Sequence, residues 1–204
     1  MTVLTIAMSL GLGILSWSFA EYALHSGYAH RAKGRNRFSR EHLKHHSNGL
    51  YFAASREKAL AGSVAFAATT PAAIWIAGVA HGLCFAGAFA CTYLTYEYLH
   101  RRVHTHAPRT AYGQWMRRHH LHHHYTRPRE NHGVTSPLWD HVFRTRIPAG
   151  IVRVPEKRIC EVAWLIGDDG EVKPEYAGHY VIARPQAARI ARKDQGLPTT
   201  IEPC

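Results

Sequence analysis

Apolar residues are concentrated in two parts of the chain, and charged residues fill most of the rest. Residues 3–24 contain no lysine or arginine and a single acid, Glu21. Residues 59–100 form a second apolar stretch of about forty positions, interrupted by glycines near residue 80. A helix needs about 20 apolar residues to cross a membrane. The pattern therefore predicts an all-α integral membrane protein with about three transmembrane helices, at 3–24, 59–78 and 82–100.

The first apolar stretch has a second interpretation, a cleaved signal peptide. Such a peptide normally begins with basic residues, and the chain carries none before residue 31. Cleavage would also remove the first members of the histidine set described below. We therefore expect residues 3–24 to be retained as a transmembrane helix.

The net charge of +11 could indicate a nucleic-acid-binding protein, but the distribution of the charge argues against it. Eight basic residues lie in 31–58 and seven in 101–129, directly after the first and third predicted spans. Basic residues flank membrane spans in this way on the cytoplasmic side. We predict a multi-pass protein with its N-terminus outside, residues 31–58 and everything after the third span in the cytoplasm, and no nucleic-acid partner.

Ten histidines form four clusters with regular spacing. Histidines at i, i+3 and i+4 share one face of a helix, which brings their rings close enough to bind the same metals. The predicted topology places all four clusters on the cytoplasmic side. The clusters are His25 with His30, His42 with His45 and His46, His100 with His104, and His120 with His123 and His124.

Imidazole is the usual ligand of zinc, iron, copper and nickel. A structural zinc site needs four ligands, so ten nitrogen donors exceed what one such site uses. Ten donors can hold two ions with about five each, as in a redox centre that keeps a position open for oxygen. We predict two iron ions, with O2 as co-substrate. The alternative is a non-catalytic membrane protein that binds or transports zinc.

Three carboxylates and several further histidines lie close to the clusters in sequence. We expect Glu21, Glu97 and Asp140 to accept ring N–H groups of ligating histidines, although Glu21 and Glu97 could instead be helix-end residues at the membrane interface. His119 and His122 are alternative ligands in the last cluster. The remaining histidines, at 81, 106, 132, 141 and 179, are expected to lie in turns, on the surface or at the rim of the site.

Residues 146–204 differ in composition from the rest of the chain. Glycine and proline interrupt short β-prone runs at 151–154 and 162–166, and no catalytic motif is present. We predict two parts, a membrane domain over 1–145 and a small, irregular, partly β cytoplasmic extension over 146–204 that ends in a loose tail.

The four clusters, in this order, resemble those of the membrane fatty acid hydroxylase and sterol desaturase superfamily. Residues 96–104 and 131–145 sharpen the resemblance, and the second segment is similar to the one that closes the core of fatty acid 2-hydroxylases. The resemblance implies a cytoplasmic di-metal cap on the membrane helices, which can hold zinc in place of iron in a purified or crystallised form. It assigns one ion to His25, His42, His45, His120 and His123, and the other to His30, His46, His100, His104 and His124.

The resemblance also implies a function in lipid biosynthesis. We expect a di-iron, O2-dependent oxidoreductase that hydroxylates the acyl chain of a fatty acid or sphingolipid such as ceramide. Sterol or acyl desaturation and carotenoid hydroxylation are the alternatives within the superfamily, and the clusters alone do not separate them. No cytochrome b5-like part is evident in the 204 residues, so we expect electrons from a separate donor, cytochrome b5-like or of the ferredoxin type.

Overall fold

The computed structural model describes residues 2–184, and these are mostly helical. Helix α1 continues directly into a π-helical segment, and α5 and α6 lead into a small two-stranded sheet. The elements are α1 (Val3–Ala23), the π-helical segment (Leu24–Arg31), α2 (Arg37–Ser47), α3 (Ser55–Ala77), α4 (Val79–Thr105), α5 (Ala111–Tyr125), α6 (Leu138–Val142), β1 (Val152–Pro155), a 3-10 helix (Glu156–Leu165), a 3-10 turn (Pro174–Tyr176) and β2 (Tyr180–Ala183).

Three helical stretches are long and apolar enough to cross a membrane, as predicted. They are Val3–Arg31, Ser55–Ala77 and Val79–Thr105. Each extends beyond the predicted span at the end that carries charged residues or histidines, because helical hydrogen bonding continues past the apolar part. Gly78 alone separates α3 from α4, with a φ of 81° that favours glycine.

Helices α1 and α3 both pack against α4. Gly13 of α1 lies against the backbone of Phe85, so closely that a side chain would not fit. Trp17, also on α1, packs its ring against Phe89 and Tyr93 of α4, with ring centroids 5.4 and 4.7 Å away. This contact holds the histidine-bearing ends of α1 and α4 side by side.

The π-helical segment changes the spacing of the first histidine pair. On an α-helix of 3.6 residues per turn, two residues five apart point about 140° away from each other. A π-helix closes its hydrogen bonds between residues i and i+5, so residues five apart come onto nearly the same face. His25 and His30 therefore lie together, with ring centroids 5.1 Å apart.

Residues 150–184 pack onto the helices. Strands β1 and β2 pair in parallel, with Val152 opposite Tyr180. Their buried side chains share one core with Val103, Met116 and Leu121 of α4 and α5. The predicted strand at 151–154 is confirmed as β1. The predicted strand at 162–166 is wrong, because most of that run lies in the helix Glu156–Leu165. The predicted tail falls mainly on residues 185–204, outside the described residues.

Candidate metal centre

The structure brings the ten predicted histidines together at one end of the long helices. They form two groups of five, and within each group the candidate ligand atoms all lie within 4.8 Å of one another. The first group consists of His25, His30, His42, His46 and His123. The second group consists of His45, His100, His104, His120 and His124.

The division between the two groups corrects the one that the resemblance implied. His30 and His46 belong with the first group, and His45 and His120 belong with the second. The helices explain the correction, because residues four apart share a side of a helix. His42 and His46 of α2 thus reach the same group. His120 and His124 of α5 likewise reach the same group, the second.

The first group has the shape of a square pyramid. Four rings form the base in the order His25, His42, His46, His123, with neighbouring centroids 4.6–4.8 Å apart. The diagonal from His25 to His46 is 6.4 Å. His30 lies 4.6–5.1 Å from all four and forms the apex. The position opposite His30 has no histidine of the group.

The second group repeats this shape. His45, His100, His120 and His124 form the base, with neighbours 4.5–4.8 Å apart and a diagonal of 6.4 Å from His45 to His120. His104 forms the apex, 4.7–5.7 Å from the four base rings. Base rings of the two groups touch one another, as His46 and His124 do with stacked rings at 4.1 Å.

The nitrogen atoms fit a metal ion at the centre of each group. Within the groups, Nε2 atoms approach to 2.9–3.2 Å, as in the pairs His42–His30 and His123–His46. Ligands at right angles around an ion, each about 2.1 Å from it, would be about 3.0 Å apart. His25 Nε2 and both ring nitrogens of His124 are buried without a hydrogen-bond partner among the described residues. A cation would satisfy one nitrogen of each of these rings, so the donor set fits two metals.

Burial keeps the imidazole rings of His45 and His46, both on α2, in the neutral form that can bind a metal. It lowers the pKa of His45 to about 4 and is the largest cause of a pKa of about 2 at His46. For His46 the neighbouring His30 lowers the pKa further. At neutral pH these rings therefore offer a lone pair instead of a positive charge.

Backbone carbonyls orient three of the ligating rings. His45 Nδ1 donates to the carbonyl of Tyr51 at 2.8 Å, and His123 Nδ1 donates to the carbonyl of Glu130 at 2.7 Å. His25 Nδ1 makes a short hydrogen bond to the carbonyl of His132. A proton held on Nδ1 leaves the lone pair on Nε2, which is the nitrogen that faces the centre of the group. Every residue has a carbonyl, so no sequence pattern marks these acceptors.

The prediction that Glu21 contacts a ligating histidine is wrong. Its carboxylate accepts hydrogen bonds from the backbone nitrogens of Val134 and Thr135 at 2.6 and 3.0 Å, and from the Thr135 hydroxyl at 2.6 Å. Glu21 therefore holds the loop 131–135, which supplies the carbonyl that His25 needs. Its role in the site is indirect.

Asp140 holds the other side of the same loop, and its predicted contact with a ligand is also wrong. It accepts hydrogen bonds from the backbone nitrogens of His132 and Gly133, both at 2.8 Å, and from the Thr145 hydroxyl at 2.7 Å. Its closest imidazole is that of His119, with Nε2 3.4 Å away. These donors hold the pKa of Asp140 below its usual value although burial alone would raise it.

Glu97 turns away from both groups. It forms an ion pair with Lys58 of α3, so the predicted support of His100 is wrong and the alternative, a helix-end residue, fits better. The side chain lies on the face of α4 that contacts α3. His100 instead faces α5, with its Nε2 3.1 Å from that of His120.

The other histidines lie outside the two groups. His119 stacks on Trp115, and His122 is buried without reaching a group. His132 packs against the first group, 5.3–5.4 Å from His25, His30 and His123. His141 is exposed. His81 contacts Ser9 at the opposite end of the long helices.

The two groups differ in exposure. All five histidines of the second group are buried, whereas His30, His42 and His46 of the first group are partly exposed. The first group therefore lies at the periphery of the histidine-rich region, and the second lies inside it.

Comparison with known proteins agrees with this geometry. A family model described as fatty acid hydroxylase matches residues 10–145. Fatty acid 2-hydroxylase of Mus musculus is 28% identical over 149 residues, which are 67% of this chain and 39% of the mouse protein. The Rattus norvegicus protein of the same name is 27% identical over the same shares. The chain thus spans about two fifths of the length of these relatives.

A solved structure has the same fold. It is titled full-length Scs7p with only the hydroxylase domain visible, and it aligns with a TM-score of 0.60 at 21% identity. The alignment covers 73% of this chain and 59% of the other. The family match covers all four histidine clusters and ends where the C-terminal extension begins. The chain belongs to the fatty acid hydroxylase family.

Proposed function

We propose that the protein is a membrane-bound, O2-dependent di-iron oxygenase that hydroxylates a lipid acyl chain. The observation that carries this proposal is the pair of five-histidine square pyramids, each with one position that its own histidines leave open. Metal sites that only stabilise a fold are normally closed, whereas catalytic sites keep a position for a reactant. The open positions thus favour an oxygenase over a non-catalytic metal-binding protein.

The histidines of the first group would hold one iron and those of the second the other. Bound iron would supply the redox chemistry that activates O2. The protein keeps Nε2 of His25, His45 and His123 unprotonated by holding the proton on Nδ1 against a carbonyl. The buried second group also excludes water, which protects the reaction from side reactions.

A lipid substrate suits the surface beside the first group. Helix α6 packs on α1 through Trp139 and Phe19, with ring centroids 4.9 Å apart, and it leaves Leu138 and Val142 exposed. An exposed apolar surface next to a membrane-spanning helix would be covered by acyl chains. The relatives named fatty acid 2-hydroxylase favour a fatty acid or sphingolipid chain. Sterol or acyl desaturation and carotenoid hydroxylation remain the alternatives.

We further propose the topology and the redox partner. The N-terminus lies outside and the metal centre lies on the cytoplasmic side, because the basic residues flank that end of the spans. Electrons come from a cytochrome b5-like or ferredoxin-type protein. Exposed Arg101, Arg109, Arg127 and Arg129 near the centre would attract an acidic donor.

The test uses detergent-purified protein with a reduced donor, lipid extract and ¹⁸O2, and the lipids are analysed by mass spectrometry. The proposal predicts one ¹⁸O atom in an acyl chain, lost in a His45→Ala, His123→Ala variant and kept in His141→Ala, whose side chain is exposed. A product that has lost two hydrogens would indicate a desaturase. Two bound metals without any oxidised lipid, under each donor, would favour the metal-binding alternative.

A further inference from the structure

Residues 156–165 follow the part of the chain that the family model matches, and they contact the second histidine group. The 3-10 helical segment Glu156–Leu165 is kinked at Val162, and we call the whole segment the closing helix. Trp164 Nε1 donates a hydrogen bond to the carbonyl of His104, the apical histidine, at 3.1 Å. This bond ties the closing helix to the part of α4 that carries His104.

A buried polar network makes the second connection. Glu161, 7% exposed, accepts hydrogen bonds from the Tyr125 hydroxyl at 3.1 Å and from Arg158 Nε at 2.7 Å. The Arg158 guanidinium lies over the Tyr125 ring, 4.9 Å from its centroid. Tyr125 directly follows His124, so the network holds the end of α5 at the second group.

The space between Glu161 and the second group is filled by Gly49. A side chain at Gly49 would lie 2.7 Å from Glu161 Oε2 and 2.8 Å from His104 Nδ1, too close for either. A side chain there would displace Glu161 or His104, and glycine lets the loop after α2 lie between the closing helix and His104. The second group is thus enclosed by α2, α4, α5 and the closing helix, and its histidines are 0–6% exposed.

From these contacts we propose that the closing helix locks the second metal site, so that its ion exchanges slowly while the ion of the first site exchanges quickly. The proposal rests on the two metal sites of the proposed function. An ion leaves a site when water or a chelator reaches it and its ligands move apart. At the first site His30, His42 and His46 are accessible, whereas at the second site the closing helix must first move away.

The test is metal release measured without lipid, donor or oxygen. Protein loaded with two Co²⁺ or Zn²⁺ ions per chain is mixed with excess chelator, and free metal is followed over time. We expect two phases of equal amplitude, separated at least tenfold in rate. His42→Ala should remove the fast phase and His124→Ala the slow one. A single phase, or a slow phase that His42→Ala removes, would overturn the proposal.

Two variants test the closing helix itself. Glu161→Gln leaves Arg158 without its ion pair, and Trp164→Phe keeps the ring but removes the bond to His104. Loss of one such bond corresponds to roughly a tenfold change in an equilibrium or rate. We therefore expect each to speed the slow phase about tenfold and to leave the fast phase within twofold. Glu175→Gln, an exposed acid in the same extension, is the matched control.

The readout separates this proposal from the proposed function. Two-phase release that Glu161→Gln and Trp164→Phe accelerate supports the lock even if no lipid is oxidised. An unchanged slow phase in a folded variant, judged by near-UV circular dichroism, rejects the lock even if hydroxylation is observed. Should Glu161→Gln fail to fold, Trp164→Phe decides. Fewer than two ions bound by the wild-type protein would overturn both proposals.

Discussion

Gly133→Ala should disrupt the loop that orients His25, and the structure gives a size for the effect. A side chain at Gly133 would lie well inside 3.0 Å of the Ser136 carbonyl oxygen and 3.0 Å from Asp140 Oδ2. Asp140 is held in place, because it is buried and accepts the Gly133 backbone N–H at 2.8 Å, and the Ser136 oxygen belongs to the backbone of the same loop region. The loop must therefore shift as a whole, and the carbonyl of His132 shifts with it.

The cost combines two terms. Forcing a methyl group into a filled space costs about 1–3 kcal/mol. Weakening a hydrogen bond to a charged acceptor costs about 1.5–3 kcal/mol more. In a protein of about 200 residues, each kcal/mol lowers the melting temperature by roughly 2–4 °C. We expect the melting temperature to fall by roughly 10 °C.

The assay is thermal unfolding in detergent, followed by tryptophan fluorescence, together with the metal content of the purified protein. We expect Gly133→Ala to unfold at the lower temperature and to retain less metal, because His25 loses its acceptor. Gly178→Ala is the control, since nothing lies within 4 Å of a side chain there. A melting temperature within 2 °C of the control, with full metal content, would refute the proposed role of the loop.

Three further predictions follow from the same contacts. Asp140→Asn should lower the melting temperature and the metal content together, because the amide cannot accept all the hydrogen bonds that the carboxylate does; an unchanged metal content would show that the loop does not depend on it. Removal of metal by a chelator should lower the melting temperature at pH 7, and re-addition of Zn²⁺ or Fe²⁺ should restore it. Metal-free protein should lose stability as the pH falls from about 6.5 towards 4, since the unfolded chain binds protons at His45 that the folded chain, with a pKa of about 4 there, does not. A melting temperature that is constant or rises over this range would contradict the last prediction.

The sequence was informative wherever a local pattern determines the structure. Long apolar stretches have few solutions in a membrane, so the number of spans was predictable. The i, i+3 and i+4 spacing within α2 and α5, with the i, i+4 pair on α4, also marked eight of the ten histidines of the two groups. Regular secondary structure and hydrophobic length determine these features without knowledge of the tertiary contacts.

Features that depend on tertiary contacts were not predictable in this way. No signal marks the π-helical segment that aligns His25 with His30. The division of the histidines depends on how α2 and α5 are rotated about their axes, which the sequence does not state. The sequence shows that Glu21 and Glu97 lie near the histidines on their helices, but it does not show their partners. Glu21 accepts hydrogen bonds from the loop 131–135, and Glu97 pairs with Lys58. The core that joins β1 and β2 to α4 depends on residues far apart in the chain.

The C-terminal extension is small and irregular with two short strands, as its composition predicted. Its glycines and prolines do not show, however, that Val152, Val154 and Leu165 are fully buried. Short strands and a 3-10 helix bury these side chains against α4 and α5 without a long periodic pattern. The closing helix consequently lies next to the metal centre although no motif marks it.

The central claim is that two separate groups of five histidines each bind one metal ion. It is tested most directly by counting the ions bound per chain in a His45→Ala, His124→Ala variant after gel filtration without chelator, beside the wild-type protein. Both substitutions fall in the second group, so the account predicts one retained ion, bound at the first group as tightly as in the wild type. If the two histidines belong to different sites, both ions will bind more weakly or be lost, and that result would contradict the account.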